Sequence, residues 1–192
     1  VDDSIGESAE PNWNVAPTHT VPVLLERLTE DGQLLPEIHA ARWGLVPSWA
    51  KELSIGSKMF NARSETAAAR NAFRPALTHR RCIVPASGFY EWHKQGTGKS
   101  IPYFVRPTDR QVFGFAAIME TYLAPDGSEI DTVAILTRAA AGPLADIHPR
   151  EPVTLRRNTE QLWLDCRHVA PDALQRVFED AEGMDWQIDA IS

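Results

Sequence analysis

VFGFAAIMETY (112–122) and TVAILTRAA (132–140) are two apolar runs separated by the turn signal APDG (124–127). Their β-branched and aromatic content favours strands, and Pro-Asp-Gly between them predicts a hairpin. The same grammar recurs along the chain. TVPVLLERL (20–28), HAARWGLVP (39–47), RCIVPASGFYEW (81–92) and IPYFVRP (101–107) read as strands. EDGQ (30–33), KQGTGK (94–99) and PTDRQ (107–111) read as further hairpin turns. Helices are few. SETAAARNAFRPALTHR (64–80) opens on Ser64, an acceptable N-cap, and contains Pro75, which must kink or split it. NTEQLWLD (158–165) and APDALQRVFEDAE (170–182) are the other candidates, the second with Leu174, Val177, Phe178 and Ala181 on one face. The class is α+β: a curved or barrel-like, mainly antiparallel β core with a few peripheral helices.

The chain has 192 residues without internal repeat or low-complexity linker, so one domain, 1–192, is expected. A domain of that size buries roughly 70% of its unfolded surface and needs no staple. Its two cysteines, Cys82 and Cys166, lack CxxC or Cys/His ligand spacing. Neither a zinc site nor a disulfide framework is expected, which suits a reducing, cytoplasmic setting without metal or organic cofactor. No stretch approaches 18 apolar residues, and the acidic opening VDDSIGESAEPNW is not a signal peptide. Walker, GxGxxG, HExxH and GxSxG motifs are absent, which removes the chemistries they carry. Net charge is -7, yet residues 41–110 hold twelve Lys/Arg against four Asp/Glu. That basic block inside an acidic protein marks either an anion-binding face or an Arg-rich solvated surface.

Three segments carry candidate chemistry. In PASGFYEW (85–92), strand alternation puts Phe89 and Glu91 on one face and Tyr90 and Trp92 on the other. Aromatics on both faces imply that both are covered. Glu91 is then either a satisfied core acid or a desolvated carboxyl with a raised pKa, fit for acid/base work. In FNARSET (60–66), Asn61 and Arg63 share a face, an arrangement suited to sugar or phosphate. The plainer alternative is a capping loop with Arg63 paired to Glu65. In ADIHPREPVTL (145–155), His148 and Arg150 are two apart in a Pro-framed loop, a candidate site rim. His19, His39, His79, His93 and His168 lack such a setting and read as surface groups. PSWAK (47–51) and NWNVAP (12–17) each place a Trp near a Pro, as base-stacking groups or as core.

Together these segments resemble the SOS-response-associated peptidase family, the SRAP domain, from about residue 12 to the C-terminus. The resemblance is carried by NVAPTHTVPVL (14–24), ARWGLVPSWAK (41–51), NARSETAAARNAFRPAL (61–77), GFYEW (88–92), FGFAAIMET (113–121), ILTRAA (135–140) and IHPREPVTL (147–155). It implies a sensor of abasic sites in single-stranded DNA, monomeric, with no membrane partner. In that family an N-terminal Cys, exposed by autoproteolytic removal of the initiator Met, captures the abasic aldehyde as a thiazolidine. Carried over by position, Asn61 resembles the residue that orients sugar or nucleophile, Glu91 the active-site acid, and His148 the proton shuttle. Arg63 and Arg150 resemble the phosphate-binding arginines. Trp49 and Pro17 resemble the wedge against flanking bases, and Thr137 a hydroxyl that contacts the DNA backbone.

Two departures accompany the resemblance. The opening Met-Cys-Gly-Arg is absent, so the natural protein is expected to begin upstream of Val1. Pro149 and Glu151 flank Arg150 where the family commonly has other residues, and an added carboxylate there is expected to weaken a phosphate contact. Two other activities fit the same residues: a cysteine-type peptidase acting on other proteins, and a non-covalent single-stranded DNA-binding module.

Overall fold

The computed structural model describes residues 12–94, 96, 98–181 and 184–191. The opening VDDSIGESAEP (1–11), and Gln95 and Thr97 of the KQGTGK turn, lie outside the described residues. Strands β1 (Thr20–Leu28), β2 (Leu34–Trp43), β4 (Arg81–Ala86), β7 (Phe113–Leu123) and β8 (Glu129–Ala139) close on one another in the order β7-β4-β1-β2-β8 and back to β7. Neighbours are antiparallel except β2 and β8, which run parallel. The result is a closed five-stranded barrel with extra strands and short helices around it. Closure suits these strands because an open edge presents unpaired backbone groups.

Both surfaces of the barrel are covered, which is why β7 is buried from Phe113 to Glu120 without alternation. Val23, Ala41, Cys82, Phe115, Ala117 and Val133 belong to the cluster that fills the interior. The other faces of the same strands, with Ile83, Ala116, Ile118 and Leu136, pack beneath the helices around Trp163 and Leu174. Burial raises the Cys82 thiol far above its ordinary pKa, so it is an inert core group.

The predicted 64–80 helix is split. α1 (Ser64–Ala67) ends before a turn, and α2 (Arg74–His79) restarts with Pro75 in its first turn, where a missing N–H costs nothing. α3 (Arg157–Leu164) falls where the apolar periodicity places it, whereas the expected 170–182 helix is a 3-10 turn (Pro171–Leu174) followed by α4 (Gln175–Asp180), with Leu174, Val177 and Ala181 buried and Phe178 partly so.

Two strand readings and one turn reading are corrected. HAARWGLVP does not continue as strand beyond Trp43, because Gly44 adopts φ +139°. RCIVPASGFYEW is two strands in two sheets: β4 in the barrel and β5 (Phe89–His93) in a separate three-stranded sheet with β6 (Ile101–Pro107) and β11 (Trp186–Ala190). PTDRQ is therefore no hairpin turn. It carries the chain from the small sheet back to the barrel, since β6 pairs with β5 and β11 while β7 pairs with β4 and β8. Gly88 permits the change of sheet: a Cβ there overlaps the Phe104 ring and lies 3.0 Å from the Val105 carbonyl oxygen. The EDGQ and APDG turns do join antiparallel neighbours, and β5 and β6 pair across KQGTGK.

Candidate active site at the β3–β8–β9 edge

β3 (Asn61–Arg63) lies parallel beside β8, with Asn61 opposite Ile135 and Arg63 opposite Thr137. On the other side of the same stretch, β9 (Arg150–Pro152) runs antiparallel, with Thr137 opposite Pro152 and Ala139 opposite Arg150. Ala62 anchors β3 in the core, so Asn61 and Arg63 face solvent together, as their spacing predicts. Neither side chain has a hydrogen bond or ion pair among the described residues.

The small sheet delivers Glu91 to this edge. Phe89 packs edge-on against Phe115 of the barrel at 5.8 Å and against Trp186 at 5.5 Å, and Phe113 also meets Trp186. Two residues on, Glu91 shares the Phe89 face and lies 3.7 Å from His148 Nδ1. Burial is the largest influence on Glu91 and raises its pKa. The facing His148 and the Trp92 backbone N–H pull in the other direction without cancelling it. The opposite face is not fully covered: Tyr90 leans on Phe104, but Trp92 is 54% exposed.

His148 is held by backbone. Its Nδ1 lies 2.8 Å from the Arg150 carbonyl oxygen and accepts from the Arg150 N–H at 3.2 Å, contacts that call for opposite protonation states of Nδ1. Glu91 and Arg150 therefore bracket one ring nitrogen, a geometry in which a proton can reside on either the acid or the imidazole.

Arg150 is not the open cation that its position suggests. Its guanidinium grips Glu65 through two parallel bonds, 2.6 Å from Nη1 to Oε1 and 2.9 Å from Nη2 to Oε2. Nη2 also donates to the Thr137 carbonyl and hydroxyl oxygens at 2.5 and 3.2 Å. This fork holds the Glu65 carboxyl at a pKa of about 2. The alternative pairing of Arg63 with Glu65 does not occur, because α1 begins at Ser64 and turns Glu65 away from the strand face. Nor does Glu151 crowd Arg150. It is buried on the opposite face of β9, 3.5 Å from Arg138.

Pro17 occupies the second position of a tight turn closed by His19 N–H to the Ala16 carbonyl at 3.0 Å. Thr18 takes φ +80°, a conformation costly for a β-branched residue. It is pinned by Arg42, which donates to its carbonyl, and by its own N–H on the Trp43 carbonyl at 2.7 Å. The Trp43 indole in turn donates to the Phe60 carbonyl at 2.9 Å, one residue before Asn61. Pro17 is thereby placed on the flank that carries Asn61. Trp49 stands 62% exposed on a loop whose buried root, Leu45 to Pro47, is fixed by Val46 N–H on the Thr132 hydroxyl. Trp13 is likewise exposed, so neither Trp is core. No hydrogen bond or ring contact ties Trp49 to Glu91 or His148 among the described residues.

One pairing and one group escaped the sequence reading. Glu65 and Arg150 are 85 residues apart, and no local spacing signals their pairing. His93 is half-buried rather than a surface group. It lies on the Glu91 face of β5 beside Tyr103, and its Nδ1 is buried without a hydrogen bond among the described residues. Its i+2 spacing from Glu91 was the available signal.

The family model for SOS response associated peptidase (SRAP) matches residues 2–192. Abasic site processing protein YoqW of Bacillus subtilis is 34% identical over 184 residues, covering 94% of this chain and 80% of the relative. Abasic site processing protein HMCES of Mus musculus is 32% identical over 197 residues, covering 83% of this chain and 55% of the relative. A crystal structure from Bordetella bronchiseptica superposes with a TM-score of 0.74 at 26% identity, covering 96% of this chain and 90% of that one. Another from Bacteroides thetaiotaomicron gives 0.75 at 24% identity, covering 91% and 75%. The chain belongs to the SOS response associated peptidase (SRAP) family.

Proposed function

We propose that this protein captures abasic sites in single-stranded DNA as a covalent adduct formed through an N-terminal cysteine. The observation that carries the proposal is the Glu91–His148 pair: a carboxyl with a raised pKa, 3.7 Å from an imidazole, at an edge that also carries Asn61 and Arg63, whose side chains have no hydrogen bond or ion pair among the described residues. Relatives that bear the name abasic site processing protein support the choice of substrate.

In this reading the cysteine α-amine attacks the open-chain aldehyde of the abasic sugar. A carbinolamine forms and loses water to give an imine. The thiol then adds to the imine carbon, its proton passing to nitrogen, and closes a thiazolidine ring. The second step is intramolecular and gains a high effective concentration. Glu91 takes a proton from the attacking ammonium and returns one to the departing hydroxyl, a double role that needs a pKa nearer to neutrality than a solvated carboxyl has. His148 relays protons at the opened sugar hydroxyl, Asn61 orients the sugar, and Arg63 meets a flanking phosphate. Pro17 and Trp49 wedge the neighbouring bases, with stacking of roughly 1–3 kcal/mol per base. Glu91 also serves as base in removal of the initiator Met.

The test is incubation of the protein, with its native N-terminus, with an abasic single-stranded oligonucleotide, followed by a denaturing gel. A heat-stable adduct that disappears on Cys→Ala replacement at the mature N-terminus, and forms slowly with Glu91→Gln, is expected. No adduct, or one that survives loss of that cysteine, overturns the reading. Cleavage of unrelated proteins by the same sample favours the peptidase alternative instead.

A further inference from the structure

Strand β2 ends at Trp43 and β3 begins at Asn61. Both lie parallel to β8, with Trp43 opposite Val133 and Asn61 opposite Ile135. The chain between them, 44–60, leaves on the Gly44 N–H bond to the Val133 carbonyl at 2.8 Å. It returns on the Phe60 carbonyl, which accepts the Ile135 N–H at 3.0 Å. Trp49 rides on that excursion. Its neck is closed by Leu45 N–H on the Met59 carbonyl at 3.1 Å, and by an approach of Gly44 to Gly56 that leaves no room for a Cβ on either.

Trp43 meets each of these elements. Its carbonyl accepts the Thr18 N–H at 2.7 Å and its N–H donates to the His19 carbonyl at 2.8 Å, so its backbone seats the turn that carries Pro17. Thr18 is held at φ +80° by these bonds, and backbone strain sustained in this way marks a segment whose placement matters. The Trp43 indole reaches the other way. Its N–H donates to the Phe60 carbonyl at 2.9 Å, and the Trp43 and Phe60 rings meet edge to face at 5.9 Å.

We propose that Trp43 is a positioning residue that spaces the base wedge from the sugar-holding strand. It ties the Pro17 turn and the neck of the Trp49 loop to β3, and so makes capture of an abasic sugar depend on displacing the base beside it. This role rests on the reading of Pro17 and Trp49 as the wedge and of Asn61 as the sugar contact. The removable part of the strut is one N–H, running from the last residue of β2 to the residue before Asn61. Trp43→Phe deletes it and keeps an apolar ring. The Phe60 carbonyl retains the Ile135 N–H, so the variant leaves no orphaned acceptor.

The experiment compares Trp43→Phe and Trp49→Ala with the parent protein, each with its native N-terminus, in two measurements. In the first, 2-aminopurine is placed on either side, in turn, of a tetrahydrofuran abasic analogue in a single strand. Its fluorescence reports unstacking on binding and needs no adduct chemistry. In the second, adduct formation at saturating DNA is timed on two abasic oligonucleotides. One has ordinary bases on both sides of the lesion, and the other has tetrahydrofuran spacers there, which leave no base to displace. The parent is expected to raise the fluorescence, and Trp43→Phe to lose most of that rise, as Trp49→Ala does. On base-flanked DNA, Trp43→Phe is expected to slow adduct formation by between about tenfold and a hundredfold, a typical effect of a small misplacement remote from the chemistry. On spacer-flanked DNA the difference from the parent is expected to shrink to within about twofold.

The inference is overturned if Trp43→Phe keeps the parent's fluorescence rise, or if it slows both oligonucleotides alike, the mark of a purely structural Trp. A parent that gives no fluorescence rise overturns it too, because there is then no wedge to place. A parent that unstacks the base but forms no adduct counts against the proposed reaction. The fluorescence still decides the role of Trp43 in that case.

Discussion

Arg81 is almost wholly buried, and among the described residues no carboxylate accepts a hydrogen bond from its guanidinium. Instead four carbonyl oxygens receive it: Trp163 at 2.5 Å, Leu77 at 2.9 Å, Asp165 at 2.6 Å and Val169 at 2.9 Å. Leu77 belongs to α2, Trp163 to α3 and Asp165 to the residue that closes α3, so one side chain caps the C-terminal ends of two helices. Burial lowers the Arg81 pKa, the mark of a cation that desolvation penalises. Arg81→Met keeps most of the volume and removes all four donors. Each orphaned carbonyl costs about 1–3 kcal/mol if it stays dry. Recovery of the guanidinium desolvation offsets part of that sum. A cavity of about 360 Å³, lined by Arg81, Cys166 and Leu164 among others, lets water reach some of the acceptors. The net loss is then about 3–5 kcal/mol, the range for breaking a buried charged network. With a urea slope of roughly 2 kcal/mol per M, the midpoint falls by about 2 M. Arg81→Lys keeps the charge but reaches fewer acceptors, and its midpoint is expected between the two. Urea unfolding followed by tryptophan fluorescence reads both variants. A midpoint for Arg81→Met within about 0.5 M of the parent refutes the assignment of Arg81 as the shared helix cap.

Glu91→Gln is expected to abolish or sharply slow adduct formation while stabilising the fold at neutral pH. The sign follows from its raised folded-state pKa: Glu91 costs no stability when protonated in both states, below its ordinary value of 4.5, and the cost grows as pH rises through the folded value. Thermal melts should show the variant above the parent at pH 8, with the gap closing toward pH 4.5. A gap of opposite sign, or one that does not vary with pH, contradicts a desolvated Glu91. Gly44→Ala is expected to destabilise by about 1–3 kcal/mol, because φ is +139° and a Cβ meets the Gly56 carbonyl oxygen at 2.5 Å. A melt unchanged from the parent's removes the close approach of these two backbones.

The sequence alone located most of the barrel strands, since burial of apolar runs between Gly and Pro turns is a local property, but it gave no sign of β11 and merged β4 with β5. It determined that Pro75 kinks or splits its helix, that Leu174, Val177, Phe178 and Ala181 face the core, the third only in part, and that Asn61 and Arg63 share an exposed face. It also nominated Glu91 and His148, which lie 57 residues apart and meet at 3.7 Å. Which strands pair was not legible. RCIVPASGFYEW and PTDRQ each cross between two sheets, and a change of sheet depends on what Gly88 must avoid in Phe104. The electrostatics were not legible either. Whether Arg150 is an open cation depends on Glu65, brought to it by the β3–β8–β9 pairing. Local spacing names the groups a site contains. Partnership between charges depends on distances of a few ångströms across chain separations of tens of residues, and only the closed barrel with its attached sheet sets those.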